Sequence, residues 1–134
     1  MKYKNYNLPD ELLYNKDSSW VKVKDDIATI GIIEPVAKAL KEFIFVELPE
    51  KKSVKKGDVY VSLEALKWSG HLTSPLTGDI VEVNDELAEE PGKINENPYK
   101  SWVMKIKINK NEELDELYKA KEIKSWLDET LEGE

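Results

Sequence analysis

Trp20, Val21, Val23, Ile27, Thr29 and Ile30 alternate with polar side chains, and Asp25-Asp26 interrupts the run. A period of two marks strands with one buried face, so the segment predicts a strand, a tight turn and a second strand. "EPVAKALKE" changes the period. Pro35 suits a first helical turn, and Val36, Ala39 and Leu40 follow at helical spacing, predicting a short helix. "FIFVELPE" predicts a strand stopped by Pro49, which has no amide hydrogen for a ladder. "DVYVSLEAL", "GHLTSPL" and "DIVEVN" continue the strand pattern, with Gly57, Gly70 and Gly78 assigned to turns. Asn84 is positioned to cap a short helix in "DELAEEPGK", which Pro91 ends or bends, and "SWVMKIKI" reads as a final strand.

From Asn111 the pattern becomes helical. Leu114, Leu117, Tyr118, Trp126, Leu127 and Leu131 can share one face, predicting a C-terminal helix over residues 111–131. Nine acids against three lysines place most of the net charge of −7 on this terminal segment, and its early acids suit the positive end of a helix dipole. With no low-complexity linker and no tandem repeat, one mainly β domain over residues 1–134 is expected. The strands around 43–63 and 72–84 could form related halves of a small sandwich.

Composition narrows the chemistry. The chain has no cysteine, which excludes disulfides, thiolate nucleophiles and cysteine-held metal clusters. His71 is the sole histidine, and no serine lies in a nucleophile elbow. Scattered acids lack calcium-loop spacing, and the six glycines form no phosphate-binding loop. No metal site and no catalytic residues are therefore expected. The acidic balance argues against nucleic acid as a partner. The lysines of "EKKSVKKGD" fit either a solvated turn or a docking surface for an acidic partner. No apolar run is long enough to span a bilayer and the first residues lack a signal-peptide core, so a cytoplasmic protein without a membrane partner is expected. Elimination leaves a binding or carrier module.

Within "LEALKWSGHLTSP", Lys67 falls at or beside a turn between two strand patterns, where its amine would be offered to solvent. Acylation there would remove a positive charge and add a flexible arm able to visit several enzymes. From local sequence alone, an ordinary turn lysine is the favoured reading.

The wider pattern resembles the H-protein family of the glycine cleavage system. It is carried by "WVKV" at 20, "ATIGI" at 28, "FVELPE" at 45, Gly57, Glu64, Lys67, "SPLTGDIVEVN" at 74–84, "INENPY" at 94–99 and Trp102. Pro75 follows Lys67 by eight residues, as in that family. The resemblance implies a lipoyl/biotinyl-type barrel-sandwich hybrid of two antiparallel sheets, with short peripheral helices and a C-terminal helix. It also implies lipoate attached covalently to Lys67, and a role for Glu64 in recognition by a lipoate ligase or lipoyl transferase. Implied partners are glycine decarboxylase, aminomethyltransferase and dihydrolipoyl dehydrogenase, between which a non-catalytic carrier shuttles an aminomethyl group and reducing equivalents.

Several positions depart from the family pattern. Ser18-Ser19-Trp20 stands where His-Glu-Trp is usual, and Trp68, Ser69, Gly70 and His71 replace small residues and an Asp after the lysine. The helix shows Ala37 and Lys41-Glu42 in place of Gln and Gly-Asp, and "NPYKSW" is one residue shorter than the usual loop. The family's acids at the positions of Ser19 and His71 lie near a pocket for the aminomethylated arm, so Ser19, Trp68 and His71 are candidate pocket residues. Their change opens a second reading. A sulfur-carrying, H-like lipoate-binding protein serving a heterodisulfide-reductase-like complex needs no carboxylate to hold an ammonium. A biotinyl carrier is a further alternative, because "EALKW" shares Glu, Ala and Lys with Glu-Ala-Met-Lys-Met. Biotinyl domains, however, are shorter and lack counterparts to the N-terminal strands, the "INENPY" segment and the acidic terminal helix.

Overall fold

A computed structural model describes residues 1–131, with the backbone alone at 130 and 131. The first segments are β1 (Lys2–Tyr3), β2 (Tyr6–Asn7) and β3 (Leu13–Tyr14). The expected pair of strands follows as β4 (Ser19–Lys24) and β5 (Ile27–Ile32), and Asp25 turns the chain between them in the left-handed region at φ 58°. Helix α1 (Glu34–Ala39) has Pro35 in its first turn, where a missing N–H costs no helical bond. Then come β6 (Phe43–Glu47), β7 (Ser53–Val54), β8 (Val59–Ala65), β9 (Trp68–Thr73) and β10 (Gly78–Val83). Two single-turn helices, α2 (Glu86–Glu89) and α3 (Lys93–Glu96), lead to β11 (Met104–Ile108). A 3₁₀ segment at Asn111–Glu116 and helix α4 (Ala120–Leu131) follow.

Every strand pair is antiparallel. One sheet of six runs β3-β4-β5-β11-β10-β7, one of three runs β6-β8-β9, and β1-β2 form a separate hairpin. Val21, Ile30, Val54 and Ile106 of the larger sheet meet Phe43, Val46, Val61, Leu63 and Leu72 of the smaller one in a single buried cluster. Alternation assigns these positions: in β8, Val61, Leu63 and Ala65 are buried while Glu64 is exposed. A second cluster covers the other face of the larger sheet. There Trp20, adjacent to Val21 and so pointing the opposite way, packs with Tyr3, Leu8, Leu12, Tyr14, Ile33, Ala120, Ile123 and Leu127.

Three expectations change. The helix predicted over 111–131 is divided, because Tyr118 exchanges two 2.8 Å backbone bonds with Tyr14 and is held extended as an added β-bridge. Leu114 and Leu117 accordingly pack on the intersheet core, whereas Tyr118, Trp126 and Leu127 join the second cluster; the side chain of Leu131 lies outside the described residues. Asn84 does not cap α2 with its side chain: its amide donates to the Trp102 carbonyl at 2.9 Å, leaving Asp85 at the N-cap position. Of the three glycines assigned to turns, Gly57 occupies one, but Gly70 lies inside β9 opposite Leu63 and Gly78 opens β10. A Cβ at residue 78 would stand 2.2 Å from the Lys107 carbonyl oxygen, so close strand approach requires glycine there.

Ile123 is fully enclosed where α4 meets the N-terminal segment. Ile123→Ala is expected to cost about 2–5 kcal/mol in chemical denaturation, from lost transfer energy and the cavity left behind. A loss below about 1 kcal/mol would contradict the seating of α4 on this cluster.

Candidate functional site

The hairpin of β8 and β9 pairs Glu64 with Ser69 and Ala65 with Trp68, so only Leu66 and Lys67 reverse the chain. Neither has a positive φ. Lys67 is exposed, and among the described residues no hydrogen bond or ion pair holds its amine. At the other end of β9, the backbone N–H and hydroxyl of Thr73 donate to Asp17 at 2.5 and 2.6 Å, and the Thr73 carbonyl accepts from the Asn15 amide at 3.2 Å. The hairpin is thus fixed at its base and free at its tip.

Beside the tip lies a cleft of about 530 Å³, lined by Ala39, Leu40, Lys41, Glu42, Leu66, Lys67 and Trp68. Its volume falls within the range of small-ligand sites. Trp68 occupies one wall because Gly70, two residues on and on the same face, has no side chain. A Cβ there would sit 2.6 Å from Cζ2 of the indole. The opposite wall is the end of α1, which Asn95 secures. Its side-chain oxygen accepts from the Phe43 N–H at 2.8 Å, while its amide donates to the Ala37 carbonyl at 2.8 Å and to the Lys41 carbonyl. Lys41 is itself left-handed at φ 64°, a conformation that is costly for a residue with a Cβ.

The five residues singled out from sequence occupy three places. Lys67 and Trp68 share the cleft. Glu64 and His71 are exposed on the outer face of the three-stranded sheet, opposite the intersheet core. Ser19 is fully buried, and its hydroxyl lies 2.6 Å from the Tyr60 hydroxyl. Burial pushes the Tyr60 phenol well above the ordinary tyrosine range, with the Ser19 hydrogen bond and Asp17 as smaller influences, so the pair is a neutral hydroxyl contact. The cleft thus receives no side chain from Ser19 or His71. Its distal wall, Ala39 to Glu42, was not assigned from sequence. The available signal was Lys41-Glu42 at a helix end where glycine is the usual stop.

The description of the family model that matches residues 12–130 is "Glycine cleavage H-protein". The chain belongs to the glycine cleavage H-protein family. The glycine cleavage system H protein of Staphylococcus carnosus (strain TM300) is 40% identical over 124 residues, covering 91% of this chain and 98% of the relative. A probable glycine cleavage system H protein of Pyrococcus furiosus is 42% identical over 125 residues, covering 91% and 93%. The crystal structure of the H protein from Mycobacterium marinum superposes with a TM-score of 0.79 at 27% identity, covering 91% of this chain and 98% of that one. Within this H-protein family the two facing antiparallel sheets are the lipoyl-type barrel-sandwich fold, and the Lys67 hairpin is one edge of it. Among the described residues, no three His, Asp or Glu side chains are grouped to hold a metal, and no helix is long and apolar enough to cross a membrane.

Ser19→Ala leaves the Tyr60 hydroxyl buried without this partner and is expected to cost about 1–3 kcal/mol, seen as a lower denaturation midpoint. Adding Tyr60→Phe should recover part of that loss, because both polar groups are then gone. A double variant no better than the sum of the single ones would contradict the pairing.

Proposed function

We propose that the chain is a non-catalytic lipoyl-lysine carrier of glycine cleavage, with lipoate attached through an amide to Nζ of Lys67. The observation that carries this reading is the two-residue turn presenting an unpaired lysine beside an apolar-walled cleft in an H-protein fold. Attachment by a lipoate ligase or lipoyl transferase forms a bond between the deprotonated amine and an activated lipoyl carboxyl carbon. The bond to the activating group breaks, that group leaves with the electron pair, and the amine gives up a proton. When bound, lipoate supplies a disulfide that opens to two thiols and can carry a one-carbon unit. The residues present suit such a group: Ala39, Leu40, Leu66 and Trp68 offer an apolar wall, and acylation removes the Lys67 charge.

Once Lys67 is acylated, Lys41 and Glu42 are the charged residues left on the cleft. Glu42 supplies the carboxylate for a cationic amine cargo that the positions of Ser19 and His71 do not. The loaded carrier serves glycine decarboxylase, aminomethyltransferase and dihydrolipoyl dehydrogenase in turn, at effective concentrations on the order of millimolar once docked. The acidic chain, read as one domain over residues 1–134, fits a cytoplasmic location without nucleic-acid or membrane partners.

The cationic Lys41 on the cleft favours a second reading, a sulfur carrier serving a heterodisulfide-reductase-like complex. Exchange of labelled bicarbonate into glycine separates the two. With glycine decarboxylase from the same organism, lipoylated protein should support exchange, Lys67→Arg should abolish it, and Glu42→Gln should lower it about tenfold, the equivalent of one pKa unit of charge stabilisation. Absence of exchange by fully lipoylated protein would overturn the glycine reading in favour of the sulfur one.

A further inference from the structure

We infer that Ile44, Phe45 and Leu66 form the apolar seat by which the enzyme that acylates Lys67 grips this carrier, with Glu64 as the charged group at its centre; the inference rests on the lipoyl-lysine reading. Strand β6 pairs Phe43 with Ala65 and Phe45 with Glu64, so one extra residue is accommodated between them. The irregularity leaves the consecutive residues Ile44 and Phe45 both in solvent, at 52% and 48% exposure. Regular alternation would bury one of them. Leu66 is the most exposed large apolar side chain described, at 85%.

The register makes these residues neighbours. Phe45 is the direct cross-strand partner of Glu64, the Phe43–Ala65 pair borders Ile44, and Leu66 follows Ala65. Phe45 thus lies across from Glu64, with the exposed Ile44 and Leu66 at adjoining chain positions, at the end of the sheet that presents Lys67. Isolated surface hydrophobics are ordinary, whereas adjoining exposed ones edged by polar residues mark an interaction surface.

Position selects the occupant. An enzyme that brings an activated acyl group to Nζ of Lys67 must enclose the turn, and it then covers Leu66 and the adjoining ends of β6 and β8. Its complementary surface is an apolar depression with a basic side chain placed for Glu64.

The test is steady-state lipoylation by a lipoate ligase with lipoate and ATP. Wild type is compared with Ile44→Ser, Leu66→Ser and a control, Val81→Ser, which alters a 53% exposed apolar residue on β10 of the other sheet. All three sites are solvent-exposed, and unchanged melting curves would verify their folds. Ile44→Ser and Leu66→Ser should each lower kcat/KM about tenfold or more through KM, with kcat retained and Val81→Ser at the wild-type value. Equal kcat/KM for all four proteins would overturn the inference, as would a loss confined to glycine decarboxylase exchange or to self-association of the carrier. Failure of wild-type Lys67 to be modified would instead overturn the carrier reading.

Discussion

Pairing of Ala65 with Trp68 is the constraint on which the site depends. It leaves two residues to reverse the chain, and a reversal that short cannot return either side chain to the core. Leu66 and Lys67 are therefore held in solvent by the ladder behind them. That ladder is secure because Val61, Leu63 and Leu72 are buried against the six-stranded sheet, while Asp17 and Asn15 grip Thr73. An exposed lysine is thus mounted on a rigid support.

The cleft beside the lysine is built by two independent devices. Gly70 admits the Trp68 indole, and Asn95 ties the end of α1 to the start of β6. Both work through backbone or close packing, so they set the shape of the cleft without adding charge to it. Charge comes from Lys41 and Glu42, in the connection between α1 and β6. Ser19 contributes to stability instead: a neutral hydroxyl pairs well with a buried phenol, where an unpaired carboxylate would be expensive to desolvate.

Much of the architecture was legible in the chain. Alternation with one buried face holds in β8, where Val61, Leu63 and Ala65 turn to the core, whereas β4 and β5 read as strands although each buries both faces along part of its length. The ordered motifs from Trp20 to Trp102 pointed to the H-protein family. Lys67 was found from its setting between two strand patterns. Turn glycines misled, since Gly70 and Gly78 serve close packing within strands and local sequence does not reveal which atom will crowd a missing Cβ. The division of the C-terminal helix was equally hidden, because Tyr118 is drawn out by a backbone partner more than a hundred residues away. The cleft wall at Leu40 to Glu42 and the solvent-facing pair Ile44-Phe45 depend on tertiary register, which alternation alone does not encode.

The central claim is that Lys67 is the attachment point of a lipoyl group, and tandem mass spectrometry of protein coexpressed with a lipoate ligase tests it most directly. The account predicts one lipoyl group per chain, on the peptide that contains Lys67. A lipoyl group on another lysine, a biotinyl group on this one, or an unmodified chain under the same conditions would contradict it.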